Sequence, residues 1–235
     1  MIAAFFKTEW AKLRGMSFRD KRQYIWEYYK LQIFIFAFAA FIVGSLINVW
    51  FINPPKREYL YVAWLSPQPI LSTQIDRIGH ALDVIVSDPG RYQVVVSSYS
   101  ATDIPEIDMA LRSRFAALLS TGSIDIFLTN REGMLGLAEN SFIRPISPVM
   151  EEIQNPEFYT YLNSRILTIT FAPEDSDQVT QPMAISLAGS PLFRYLEIDT
   201  TDLYLAMVIN SGKFYEISKA LEAIFGLLPE VVYDS

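Results

Sequence analysis

Cysteine is absent from the 235 residues, and histidine occurs once, as His80. A chain without thiols has no disulfide framework, no thiol nucleophile, no sulfur-ligated metal and no cysteine-linked lipid. An oxidising compartment permits disulfides without requiring them, so this absence leaves an extracytoplasmic location open. No glycine-rich phosphate loop occurs. His80 follows Gly79 in an apolar helical pattern, where a lone histidine reads as a packing or surface residue rather than a base. Glu174, Asp175 and Asp177 offer oxygen atoms of the kind calcium prefers, but the loop spacing and turn glycine are missing, so they read as a solvated turn. Glu151 and Glu152 are neighbours, which on a helix point about 100° apart and make a poor acid/base pair. No catalytic residue, metal ligand or cofactor is assigned, and the chain reads as non-catalytic.

Charge is what the chain distributes unevenly. Leu31 to Ile52 holds 22 residues without an acid or a base, and only Gln32, Ser45 and Asn48 in it are strongly polar. At about 1.5 Å per residue such a helix is roughly 33 Å long, enough to cross a hydrocarbon core of about 30 Å. A buried core helix would be shorter and carry a polar stripe, so a membrane span is expected at 31–52. Tyr24, Trp26, Tyr28 and Tyr29 before the stretch, with Trp50 near its end, suit the headgroup layer. Asn53, Pro54 and Pro55 then stop the helix, proline having no amide hydrogen to donate.

Residues 1–30 carry seven bases against three acids, a net of +4, whereas the residues after Ile52 carry twelve against twenty-three, a net of −11. By the positive-inside rule the basic piece is cytoplasmic and the acidic domain extracellular, the chain sitting single-pass in the cell membrane. The apolar region of a cleaved signal peptide is about 7–15 residues long, and the present one exceeds it. The exterior charge also opposes nucleic-acid binding, which needs clustered bases. Four segments are expected: a basic and aromatic juxtamembrane helix in 1–30, the span 31–52, a linker 53–58 and an α/β domain 59–235. Ser17 with Asp20 reads as a helix-capping pair, so one helix is expected to start there and run unbroken into the span. Its bases meet either anionic headgroups, as a collar, or a docking partner.

The run MSFRDKRQYIWEYYK, residues 16–30, resembles the opening of a poorly characterised family of single-span proteins in Gram-positive bacteria. That resemblance implies a short basic helix, one span and an extracytoplasmic domain, and carries no activity with it.

Beyond the linker the pattern alternates. Strands are expected at Tyr59–Leu65, Tyr92–Ser98 and Ile124–Thr129, with helices at Ser72–Val86, Ile104–Leu119 and Glu132–Glu139. Strands at Ile166–Phe171, Met183–Leu187 and Leu203–Ile209 and a helix at Phe214–Phe225 close the chain, while 147–181 shows no clear period. This order argues for an open, mostly parallel sheet with helices on both faces. The run Ser123 to Leu128, the helix after it and Phe142-Ile143-Arg144-Pro145-Ile146 resemble the first lobe of two-lobed extracellular solute-binding proteins, as do Tyr204 onward and the closing helix. The resemblance implies a binding scaffold, yet the chain between Ile146 and Met183 is too short for a second lobe. A second pocket wall must then come from another copy or a partner, since a good pocket removes most of a ligand from water.

Ligands of open parallel sheets sit beyond the carboxyl ends of the strands. That rule selects Ser66, Gln68, Tyr99, Ser100, Asn130, Arg131, Ser186 and Ser190 as a candidate ligand-binding set, with loop and cap duties as the alternative. The expected function is a binding or accessory subunit of a membrane complex, a transporter or envelope machine, with a membrane-protein partner or self-association. Free-standing capture of a small solute or peptide is the alternative, and a hydrolase or transferase is further off.

Overall fold

Alternation along one strand shows how the domain is built. In Arg57–Trp64 (β1), Leu60, Val62 and Trp64 join one buried cluster while Tyr61 and Ala63 join another on the opposite face. Successive strand side chains point to opposite faces, so a strand buried on both sides must be apolar throughout. The computed structural model describes residues 16–52, 54–67, 70–99, 105–172 and 178–226. It divides into two units, Met1–Pro55 and Lys56–Ser235.

The first unit is a helix, Phe18–Ile47 (α1), continued as a π-helix over Asn48–Ile52. Ser17 caps it by accepting from the Asp20 amide at 3.3 Å and donating to the Asp20 carboxylate at 2.7 Å, as the sequence pattern predicts. The amide of Asn48 is shared between the Gly44 and Ser45 carbonyls, where the winding loosens. Trp26–Ile52 is long and apolar enough to cross a membrane, with a mean hydropathy of 2.3 and 0% of its most apolar window buried. Every residue from Leu31 to Ile52 is exposed. In water such a continuous apolar surface would be unfavourable at about 25 cal/mol per Å²; in a bilayer it is solvated. Asn53 lies outside the described residues.

The second unit is one sheet of seven strands in the order β2-β1-β3-β7-β6-β5, with β4 also on β7. The other strands are Tyr92–Ser98 (β2), Ile126–Thr129 (β3), Ile143–Arg144 (β4), Ile166–Phe171 (β5), Val179–Ser186 (β6) and Tyr204–Val208 (β7). β1 pairs in parallel with β2 and β3, whereas β3–β7, β4–β7, β6–β7 and β5–β6 are antiparallel. Five of the seven strands therefore run the same way, with β5 and β7 reversed. The sheet is mixed α/β and open, and mostly parallel by strand direction. Its parallel ladders are confined to the first three strands, which helical crossovers join.

The helices are Ser72–Leu82 (α2), Pro105–Ser120 (α3), Arg131–Glu139 (α4), Ser147–Glu151 (α5), Pro156–Asn163 (α6), Pro191–Tyr195 (α7) and Phe214–Ile224 (α8). Ile75, Ile78 and Leu82 of α2 and Ile217, Leu221 and Ile224 of α8 cover one face of the sheet; Met134 and Ala138 of α4, with Phe115 and Leu118 of α3, cover the other. β1 begins inside the segment expected to be linker, because the Arg57 amide donates to the Arg91 carbonyl at 2.7 Å and pairing follows at once. α2 is shorter than its apolar pattern, passing into a 3-10 turn at Asp83–Ile85. The strand expected from Ile124 starts at Ile126, since the Asp125 side chain and amide both engage Tyr61. Ile104 lies outside the described residues. Residues 147–181, where the sequence shows no clear period outside the strand expected at Ile166–Phe171, supply two short helices, that strand and the start of β6 to the same domain, so no second lobe is built among the described residues.

Candidate functional site

The carboxyl ends of β1, β2, β3 and β6 meet one edge of the sheet, together with the amino end of β7. Three backbone bonds stitch it: Tyr99 amide to Trp64 carbonyl, 2.8 Å; Leu65 amide to Leu128 carbonyl, 2.7 Å; Leu187 amide to Leu203 carbonyl, 2.9 Å. All the sequence-selected residues that are described belong to this edge, and Gln68 and Ser100 lie outside the described residues. They do not converge on one point. β2 and β6 stand four strands apart, about 19 Å at the usual strand spacing. Ser186 thus stands apart from Tyr99 across the sheet, with β7 inserted antiparallel between β3 and β6, whereas Ser190 opens the helix that packs on Trp64 of β1.

Each residue has a local identity. Asn130 caps α4 by accepting from the Gly133 amide at 2.9 Å, so its side chain is committed to the helix start. Gly133 is required there: a β-carbon would collide with the Thr129 hydroxyl oxygen. Arg131 is exposed, its amide donating to the Asp202 carboxylate at 3.3 Å. Ser66 is buried. The Ser186 hydroxyl accepts from the Ala188 amide at a long 3.4 Å. Ser190 is fully buried with no hydrogen-bond partner for its hydroxyl among the described residues, although it stands at the cap position of α7.

Two features of this edge escaped the sequence reading. Trp64, at the end of β1, is fully buried beside Phe193, with ring centroids 6.3 Å apart, and its indole N–H has no acceptor among the described residues. Native proteins leave few buried donors unpaired, so Trp64 and Ser190 stand out together on one face of the sheet. A tryptophan in a strand pattern reads only as core, and nothing linear distinguishes it. The second feature is a hydroxyl cluster under α3: Tyr61 and Tyr99 share a hydrogen bond of 2.7 Å, and the Tyr61 hydroxyl donates to Ser97 at 3.0 Å. Strand alternation would have placed Tyr61 and Ser97 on one face, had the partner register been known.

Burial pushes the Tyr99 hydroxyl well above the usual tyrosine range, the bond to Tyr61 adds to this, and Arg114 opposes it. In the folded state the proton is held, whereas the unfolded chain releases it near pH 10. The folded form therefore binds more protons at high pH, and stability falls as pH rises above about 10. Urea unfolding between about pH 9 and 11 should show that fall, and Tyr99→Phe should flatten it.

Elsewhere, His80 is exposed, its Nδ1 3.8 Å from the Asp83 carboxylate, and Glu151 and Glu152 face solvent. Glu174, Asp175 and Asp177 lie outside the described residues. No group of acids and histidine suited to a metal occurs among the described residues. The aspartate at the start of β3 is structural: Asp125, 3% exposed, accepts from the Tyr61 amide at 2.9 Å, Ser211 at 2.9 Å and Lys213 at 2.8 Å. It sits at the amino end of β3, away from the candidate edge. Compared with known proteins, the chain matches no family model, no curated protein and no solved structure.

Proposed function

We propose that this chain is a membrane-anchored, non-catalytic binding or accessory subunit whose acidic α/β domain stands outside the cytoplasm and works within a membrane complex. One observation carries the reading: a fully exposed apolar helix separates a piece of net charge +4 from a domain of net charge −11. Bases retained beside a span hold that side in the cytoplasm. The open sheet, with no second lobe among the described residues, suits contact with a partner better than enclosure of a solute. Cross-linking in intact membranes should recover the chain in a complex of defined mass, and recovery of monomer alone would reject the proposal.

Capture of a small solute or peptide is the second reading, favoured by the unpaired indole N–H of Trp64 and hydroxyl of Ser190. A ligand that binds only the folded state raises its melting temperature by mass action. Flat melting curves across amino acids, peptides and sugars would end that reading. A positive shift should shrink in Ser190→Ala, a change otherwise neutral or stabilising by up to about 1 kcal/mol, since it removes an unsatisfied buried hydroxyl.

A further inference from the structure

The start of α1 has two unlike sides. At about 100° per residue, Phe18, Arg19, Arg22, Trp26 and Tyr29 fall within an arc of about 100°, with Asp20 and Glu27 on the other side. Phe18 is 84% exposed and Trp26 60%. The two acids are engaged by their own helix, Asp20 by the Ser17 hydroxyl at 2.7 Å and Glu27 by the Gln23 amide at 3.0 Å. Among the described residues, Arg19 and Arg22 make no ion pair.

Height decides what covers this ridge. Phe18 lies thirteen residues before Leu31, which in the unbroken helix is about 20 Å, and Arg22 lies about 13 Å away. The headgroup layer is only about 5–7 Å deep on each side. An average tilt of about 20° shortens these heights by less than roughly a tenth. Trp26 and Lys30 can rest among headgroups, but Phe18 and Arg19 stand clear of them. The first fifteen residues carry Lys7, Lys12 and Arg14 against Glu9, the same sign as the ridge. A second copy offers, besides Glu9 in that basic stretch, only Asp20 and Glu27, which its own helix already engages.

We infer that the Phe18–Trp26 ridge docks into an acidic, apolar-floored groove of a partner protein on the N-terminal side of the membrane. This rests on the proposed span, which sets the heights, but not on any role for the candidate edge. Phe18 supplies buried aromatic area and Arg19 and Arg22 answer carboxylates at its rim, residue types that dominate interface energetics, while Trp26 marks the end of the ridge at the headgroups.

The test places a photo-crosslinking benzoylphenylalanine at position 18, or at position 27 as the opposite-side control, in the full chain in its native membrane. We expect one protein adduct of discrete mass from position 18 and none from 27, linked to a partner peptide rich in acids. Arg19→Glu with Arg22→Glu should lower its yield about tenfold, and reversing the linked partner's acids to lysine should restore it. Adducts only to lipid, adducts to the chain itself, equal yield from both positions, or no protein adduct would each overturn the inference. Protease digestion of the acidic domain in the same intact cells reports the span separately, so failure of the ridge and failure of the topology are distinguishable.

Discussion

Replacing Asp125 by alanine should lower the stability of the domain by about 3–5 kcal/mol, the cost of breaking a buried ion pair by removing one partner. For a unit of this size that is a fall of about 6–20 °C in melting temperature. The carboxylate joins three parts of the chain: the Tyr61 amide in the middle of β1, its own position before β3, and Ser211 and Lys213 between β7 and α8. Alanine leaves the Tyr61 amide without its acceptor and the Lys213 ammonium without its counter-charge. Lys213→Ala should cost less, because that side chain is 36% exposed and the carboxylate keeps two donors. Thermal unfolding of the detergent-solubilised chain, followed by tryptophan fluorescence, checks both. An Asp125→Ala loss below about 1 kcal/mol would mean that water reaches the carboxylate and the pair is worth no more than a surface one.

Trp64→Ala should cost a similar 3–5 kcal/mol, by lost transfer energy and the cavity left behind. The residue is fully buried between β1 and α7, against Phe193. Trp64→Phe is the informative partner. It keeps an aromatic ring and removes an N–H that has no acceptor, so its cost should stay below about 1.5 kcal/mol. If a ligand accepts from that N–H, Trp64→Phe should abolish ligand-induced stabilisation while leaving the unliganded protein near its original melting point. A variant with equal loss in both substitutions would show that the indole's full shape, and not its polar atom, is what the site uses.

The elements readable in the linear chain are those whose signal is local. β2 falls where alternation and the Asp88-Pro89-Gly90 turn place it, and α8 follows its apolar spacing. α6 was not expected, although its start carries a local signal: Asn155 caps it by accepting from the amides of Glu157 and Phe158, with Pro156 in the first turn. β6 was expected only from Met183 and begins at Val179; Pro182, a residue that disfavours strand interiors, pairs opposite Thr168 beside a register shift. β4 and α7 are too short for any period to show. The geometry of the candidate site belongs to a different level. The strand ends share one edge, but lateral distance depends on the sheet order, and the insertion of β7 between β3 and β6 is a long-range pairing that no local pattern encodes.

The missing thiols make the central claim directly measurable, since any cysteine introduced is the only one in the chain. Gln23→Cys on α1 and Ala116→Cys on α3 both place the thiol at an exposed position. Treated with a membrane-impermeant maleimide, intact cells should label the thiol at position 116 at once and that at position 23 only after permeabilisation. Labelling of position 23 in intact cells, with position 116 protected until lysis, would contradict an acidic domain held outside by a basic cytoplasmic helix.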